Sequence, residues 1–587
     1  MRRRSPLGSL LVLALVTCTP GFAAKLPGKW SEARSANFVV LGNVGEKKAR
    51  EIAQEFERIR AFFALRLPGA VADGGPPLWI YAARDDGTMK ILMPSLVKEL
   101  GPGAVGGRFV DRPTGQFIQL QSGFGTQWDL QIVFHEYFHY LSHRLDLDLP
   151  VWLEEGLADF WGATQFTDKA IEIGRLVPSR MKHYGALDLE RLLALDRSSP
   201  EYRDPTRRGA LYAQSWALVH YLVLGEEAAR SEQLSRYIQL VRSGKESLAA
   251  AREAFGDLAK LDEGLKRYRA GVLFPLGRMA PASVPPPEIV VREVGDGEAA
   301  ARIVVAQFAT EVTADMAPWA VVAKREAPGA GATELATGLF ALRESRHPDA
   351  EAAFARAMTA SPDDPQMAIA GYALALLEMD RDRSAAGLAG AEKSLRRAVE
   401  LDPGFAAAQS RLAEVELRQG GDPKRALATL RVARRLLPDD AYLDLREIRI
   451  LELIGSSAAA EHWLGRLAAD AVRSESPFYL NDLCWHGTLV GYARTFLPVC
   501  DKGLELTPGR GAILDSRAVA RGVTGDLAGA AADLRAALAA PAGSFKPEER
   551  ALRESWLTAL GRGENPFTPA VLEDLHYGPL AGLRWGH

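Results

Sequence analysis

The spacing of apolar and polar positions changes several times along the chain, and each change predicts an element. NFVVL at 37–41 is a continuous β-rich run and predicts a strand. From 46 to 66, Ile52, Phe56, Ile59 and Phe63 recur at helical spacing, which predicts an amphipathic helix. LWIYA at 78–82 predicts a second strand. GRFVD (107–111) and QFIQLQ (116–121) flank Arg-Pro-Thr-Gly and predict a hairpin. Thr126-Gln-Trp-Asp129 fits a helix start before the apolar run Leu130–Leu141, and a second helix is expected over about 152–163. From about 188 to 272 the pattern is helical throughout. Strands followed by helices predict an α+β domain.

Met279-Ala-Pro-Ala-Ser-Val-Pro-Pro-Pro287 has the composition of a linker and predicts two halves that a protease can separate. Residues 288–331 fit strand or helix. From about 332, prolines at 362, 403, 438, 508 and 541 follow helix-like segments, at separations of 41, 35, 70 and 33 residues. A period near about 34 explains them, with one doubled interval and one insertion around Arg381–Gly390; that is the period of tetratricopeptide repeats. Five residues before each proline stand Ala357, Ala398, Ala433, Gly503 and Ala536. Twelve before stand Ala350, Ala391 and Ala426, then Phe496 and Gly529; eight before the first three stand Phe354, Leu395 and Leu430. Small residues let paired helices approach, and the large one fills the gap to the next pair. The expected division is a signal peptide at 1–24, an α+β domain at 28–278, a linker and unassigned segment at 279–331, all-α helical repeats at 332–562 and a tail at 563–587.

The chain has 587 residues, 47% hydrophobic and 25% charged, enough for about two to four domains. A net charge of −3 gives no reason to expect nucleic acid or an anionic membrane as partner. Met1-Arg-Arg-Arg4, the apolar Leu10–Val16 and the small residues Gly21-Phe-Ala-Ala24 make a secretory signal pattern, too short to span a bilayer. Cleavage after Ala23 or Ala24 would give a periplasmic or secreted protein. Leu15-Val16-Thr17 before Cys18 also permits lipoprotein anchoring, though Thr17 weakens it. The other two cysteines, Cys484 and Cys500, fall on the two predicted helices of one repeat. They could pair, or fill packing slots.

The chemistry sits at His135-Glu136-Tyr137-Phe138-His139, an H-E-x-x-H motif on a predicted helix. Residues four apart share a helix face, so both imidazoles can reach one metal, while Glu136 reaches a water beside it. A catalytic zinc needs a third ligand and an open position. Leu149-Pro-Val-Trp-Leu-Glu-Glu-Gly-Leu-Ala-Asp159 offers one, because Glu155 and Asp159 share a helix face. Glu155 could bind the metal while Asp159 accepts the outer N–H of a ligand histidine. Glu154 reads as a solvated neighbour or a substrate contact. His143 extends the run, but i to i+8 spans about 12 Å, too far for three imidazoles to share one ion.

The strings HEYFHYLSH and LPVWLEEGLADFW resemble the gluzincins, the thermolysin-like zinc metallopeptidases, and especially the peptidase MA-like group, often exported proteins with tetratricopeptide tails. The resemblance covers about 30–272, and its specific part is 126–162. It implies a zincin-like fold, a Zn2+ cofactor held by His135, His139 and Glu155, Glu136 as general base, and Asp159 behind a ligand. Tyr212 resembles the family's transition-state donor, with His183, Tyr202 and His220 behind it. An edge strand, GGRFV or QFIQL, would pair with extended substrate. The expected function is an exported zinc metallopeptidase with a peptide or protein substrate, whose repeats bind a protein partner or the substrate. The alternative is a periplasmic tetratricopeptide scaffold with an inactive metal-binding domain.

Overall fold

The computed structural model describes residues 24–577, apart from 67–74, 102–105, 113–114, 123–127, 145–148, 168, 177–182, 184–186, 197–198, 204, 226–228, 272–273, 281–286, 311–315, 437–440, 475–476, 540–544 and 546. The proposed signal, up to residue 23, thus lies outside the described residues, as do Thr126, Pro438 and Pro541. No described helix is long and apolar enough to cross a membrane.

The strands β1 (Trp30–Arg34), β2 (Phe38–Gly42), β3 (Leu78–Ala83), β4 (Gly107–Arg112), β5 (Gly115–Gln121) and, after a small second sheet (β6 Gln165–Phe166, β7 Ile171–Ile173, β8 Gly277–Met279), β9 (Val290–Val294) are joined in two sheets. The larger has the order β4-β5-β3-β2-β1-β9. β2, β3 and β5 run parallel; β4 and β1 run against their neighbours. The hairpin β4–β5 pairs Phe109 with Ile118, and β4 forms one edge.

β2 and β3 carry almost no polar residue because both faces of the sheet are buried. Phe38, Val40, Ile80 and Ile118 face one core, with Phe56, Ile59 and Phe63 of α1 (Glu46–Arg66) and Phe134, Tyr137 and Phe138 of α4 (Trp128–Arg144). Val39, Leu41, Trp79, Tyr81 and Phe117 face the other, with Met89 and Leu92 of α2 (Asp86–Leu92) and Val97 of α3 (Pro94–Leu100). That second core is closed by helices beyond the predicted linker, through Ile303, Val304, Leu335, Leu339, Phe354 and Leu377.

The structure therefore corrects the expectation of separable halves. The ambiguous segment 288–331 holds β9 and the helices Asp296–Thr310 and Ala317–Glu326, and β9 pairs antiparallel with β1, Trp30 opposite Val294. Arg292 ties the seam to Glu32 at 2.9 Å and Glu298 at 2.6 Å. Across the sheet face the Arg302 guanidinium lies 4.7 Å from the Trp79 ring and 2.6 Å from Asp364, and Gln366 Nε2 donates to the Tyr81 hydroxyl.

From Gly331 the chain is an array of helix pairs: 331–343 with 347–360, 367–381 with 385–401, 406–418 with 423–436, 441–453 with 457–473, 477–489 with 493–506, and 511–524 with 527–538. The doubled proline interval holds two of these pairs. Ala350, Phe354 and Ala357, Ala391, Leu395 and Ala398, and Ala426, Leu430 and Ala433 are all fully buried at the pair interfaces. The last repeat is displaced by one residue from the expected frame. Ala530, Leu534 and Ala537 are buried there, whereas Gly529 is half-buried and Ala536 exposed. Cys484 and Cys500 are buried and form a disulfide between the helices of one pair. The expected tail carries structure of its own: a helix at Pro569–Tyr577 with Val571, Leu572 and Leu575 packed on the core around Trp485 and Trp556.

Candidate metal centre

α4 and α5 (Val151–Gly162) cross at close range. The Cβ that an alanine would add at Gly162 would lie 2.9 Å from the Gln131 carbonyl oxygen and 3.2 Å from His135 N, so only glycine admits the crossing. At Gly156 an added Cβ would meet Ser215 O at 2.7 Å, and this glycine lets the helix Pro205–Leu224 press onto α5. Three helices thus meet where their polar residues point inward.

His135 and His139 occupy successive turns of α4 and present Nε2 atoms 3.1 Å apart. Glu155 Oε2 lies 3.3 Å from the first and 3.5 Å from the second. The three side chains can offer ligand atoms all within 4.8 Å of one another. Glu155 Oε2 is buried and makes no hydrogen bond, an arrangement costly by about 1–3 kcal/mol unless a cation satisfies it. The outer ring nitrogens are held elsewhere. His135 Nδ1 is 2.9 Å from Asp159 Oδ1, and His139 Nδ1 is 3.3 Å from Glu154 Oε1. Each imidazole donating from Nδ1 has its Nε2 lone pair aimed at Glu155. Two nitrogens and one oxygen in this arrangement fit zinc.

Glu154 is the residue that the sequence reading misplaced. It is buried, not solvated, and the Ser142 hydroxyl donates to its Oε1 at 3.0 Å. The signal was present in the adjacent pair Glu154-Glu155. On a helix they diverge by about 100°, so one faces His139 Nδ1 while the other reaches the Nε2 atoms.

Three acids in a buried pocket set its electrostatics. Burial alone lowers the His135 imidazole, but the hydrogen bond to Asp159 and the adjacent Glu155 carboxylate outweigh it and raise it to about 9. Burial is likewise outweighed at His139, where Glu155 and Glu154 raise the imidazole well above its usual range. Burial pushes the Glu155 carboxyl up, and the two histidines pull it down to about 2. The pocket thus favours added positive charge, as protons or as a divalent ion.

Glu136 points from the same helix to the sheet edge, where its Oε2 accepts the Phe109 N–H of β4 at 2.8 Å. Tyr212 is half-buried with its ring 5.9 Å from that of His135, and burial, then Glu155, raises its phenol well above the usual value. The other three donor candidates make contacts of their own. His220 is fully buried between the Tyr268 hydroxyl at 2.7 Å and the Gly174 carbonyl at 2.8 Å. His183 packs on Gly209, and Tyr202 lies under Arg208. His143 falls in the last turn of α4, and its side chain lies outside the described residues.

Residues 131–245 match a family described as "Protein of unknown function (DUF1570)". That span contains His135, Glu136, His139, Glu154, Glu155, Asp159 and Tyr212. No curated protein matches the chain. Among solved structures, the crystal structure of MamA protein is similar at 15% identity, covering 35% of this chain and 90% of that one, with a TM-score of 0.19. The P58(IPK) TPR domain is similar at 14% identity over 57% of this chain and 98% of that one, TM-score 0.16. The Cut9-Hcn1 structure of the APC/C hetero-tetramer is similar at 15% identity over 62% and 74%, TM-score 0.22. At such scores the repeat architecture rests on this chain's own helix pairs. None of these findings names a peptidase domain, so the gluzincin resemblance stays with the motif residues that carry it. What stands is a domain matched in part by a family of unknown function, joined to an array of helical repeats.

Proposed function

We propose that the chain is an exported zinc-dependent hydrolase, acting on peptide bonds, with a helical-repeat array that binds a protein partner or substrate. The convergence of His135 Nε2, His139 Nε2 and the unsatisfied Glu155 Oε2 carries the reading. The zincin-like assignment of the first domain belongs to the same proposal, supported by a metal helix lying under a sheet with an antiparallel edge strand. Export is supported by the N-terminal signal pattern and by the Cys484–Cys500 disulfide, a bond that persists in oxidising compartments.

Zinc held by His135, His139 and Glu155 would supply Lewis acidity toward a carbonyl and toward water. Glu136 takes the proton of the attacking water and returns it to the leaving amine. Tyr212, held neutral by its raised pKa, donates a hydrogen bond to the oxygen that gains charge. Asp159 and Glu154 fix the tautomers of the two histidines. The outer edge of β4, apart from the Phe109 N–H that Glu136 holds, offers backbone groups to an extended substrate.

A second reading, a repeat scaffold with an inactive metal domain, is favoured by one observation: the Glu136 carboxylate is engaged by the Phe109 N–H. Metal analysis of the purified protein, alongside cleavage of a proteome-derived peptide library, separates the two. About one zinc per chain and cleavage lost on Glu136→Gln support the hydrolase. Zinc without cleavage in any condition supports the scaffold.

A further inference from the structure

β4 is an outer strand of the larger sheet, and its register with β5 decides which of its backbone groups face out. Gln121 N donates to the Gly106 carbonyl at 2.9 Å, and Phe109 stands opposite Ile118. In an antiparallel pair the hydrogen-bonded positions alternate, so Gly106, Arg108 and Val110 turn their backbone groups toward β5. Gly107, Phe109 and Asp111 turn theirs outward. The Phe109 N–H has that phase: it leaves the sheet and donates to Glu136 Oε2 at 2.8 Å. The Phe109 ring also packs edge-on against Tyr140, 5.8 Å away and one turn after Glu136 on α4. The metal helix and the sheet edge thus meet at Phe109 twice, through its N–H and through its ring.

Phe109 is the middle one of the three outward positions. A strand that adds along the whole edge brings a carbonyl to the Phe109 N–H, and one N–H cannot serve that carbonyl and Glu136 at full strength. While the bond to Phe109 lasts, one oxygen of the Glu136 carboxylate is committed to the sheet edge. Glu136 is half-buried, and its charge reaches the Tyr212 phenol, so the carboxylate stands beside the metal centre while it is held. Gly107 to Asp111 spans about 14 Å of strand. Only an extended segment of about five residues covers that length, and a dipeptide does not.

We propose that Phe109 couples the general base to the length of the substrate. An extended peptide that adds to β4 takes the Phe109 N–H over from Glu136 and frees the carboxylate for the attacking water; a peptide too short to reach Phe109 leaves it held. The favoured substrate is then an extended, unfolded stretch of polypeptide. The role of Glu136 as base rests on the hydrolase reading above, whereas the exchange of acceptors at Phe109 does not.

The test uses the full chain stripped of metal and a dye-labelled octapeptide of alternating threonine and valine, with binding read by fluorescence anisotropy. A copy N-methylated at alternate amides cannot pair as a strand and should bind more weakly. Glu136→Ala removes the competing acceptor and should tighten the octapeptide by about tenfold, the worth of one hydrogen bond to a charged group. Glu136→Gln keeps a neutral acceptor and should tighten it less. Phe109→Pro removes the N–H at an outward position of an edge strand, where proline is tolerated. Phe109→Ala loses the same ring and keeps the N–H. The gain from Glu136→Ala should therefore persist on Phe109→Ala and vanish on Phe109→Pro. Equal binding by wild type and Glu136→Ala, equal gains in both Phe109 backgrounds, or no binding at all overturns the proposal. If a variant loses its cooperative melt, wild type decides: saturating octapeptide should slow exchange of the Gly107 and Asp111 amides, and unchanged exchange overturns it. In the zinc-loaded protein, kcat should rise with peptide length in Phe109→Ala and stay level in Phe109→Pro; the same rise in both overturns it. The binding arm involves neither zinc nor cleavage, so a chain that exchanges acceptors yet cleaves nothing loses the hydrolase reading alone.

Discussion

Glu136 is the residue at which enzyme and scaffold part. Its Oε2 accepts the Phe109 N–H at 2.8 Å, so two functions could be confused: a proton acceptor and a brace for the sheet edge. Glu136→Gln separates them. The amide oxygen of glutamine can accept the same N–H, so the brace survives, while the basicity is gone. General-base catalysis contributes about 10²–10⁴-fold, equivalent to about 3–5 kcal/mol of barrier. Turnover should fall by that factor, with zinc content and melting temperature unchanged. Glu136→Ala should differ, because it leaves the Phe109 N–H without its acceptor and adds about 1–3 kcal/mol of destabilisation. The assay is turnover on a peptide that the wild type cleaves, with metal content by elemental analysis and stability by thermal melt on the same samples. A glutamine variant that cleaves at the wild-type rate refutes the mechanism. A glutamine variant that melts as early as the alanine variant refutes the account of the brace.

Further outcomes follow from the same structure. Glu155→Gln should lose zinc outright, whereas Asp159→Asn should weaken zinc binding by about 10–100-fold while leaving the ligands in place, measured by competition with a chromophoric chelator. Protease cleavage within 280–287 should leave two fragments that co-elute under native conditions, because β9 is paired with β1; fragments that separate without denaturant would refute the shared sheet. Reducing the Cys484–Cys500 bond, which spans 16 residues, should cost about 3 kcal/mol in denaturant unfolding of that pair, and an unchanged transition would count against it. Burial, with the neighbouring arginines, lowers the His576 imidazole to about 4, although Glu414 opposes the shift. Its folded value lies below the unfolded one, so the unfolded state binds protons first. The helix Pro569–Tyr577, which carries it, should loosen as pH falls from about 6.5 toward 4, read as faster amide exchange at 569–577 at the acidic end.

The sequence was most readable where a single periodicity prevailed. Phe56, Ile59 and Phe63 placed α1 at Glu46–Arg66, and the turn residues placed the β4–β5 hairpin. β1 escaped notice and β9 stayed ambiguous for a common reason: WSEAR and VVREV carry charges that make sense only once Arg292 meets Glu32 across the seam. The apolar run of β3 held a clue to the shared fold, since a strand with no polar alternation needs cover on both sides. The metal motif was legible from spacing because His135–His139 and Glu155–Asp159 are each one helical turn. The role of Glu154 depended on how α5 crosses α4, which Gly162 decides and no periodicity records. The packing of Phe567, ahead of the last helix, was invisible for a similar reason, as it depends on the space left at Gly522.

The shared sheet also sets an order of events during synthesis. Glu32 of β1 waits for Arg292, 260 residues downstream, before the edge it sits on is closed. At roughly 5–20 residues per second, that interval is on the order of 10–50 s on the ribosome. Once residue 144 is made the metal helix is complete, yet until the later helices arrive Val39, Leu41, Trp79, Tyr81 and Phe117 have only the short helices Asp86–Leu92 and Pro94–Leu100 as cover. The nascent chain is therefore at its stickiest when the first domain is nominally finished. A gene cut at the proline-rich stretch would make that interval permanent, and its product should aggregate rather than yield a soluble metal-binding fragment.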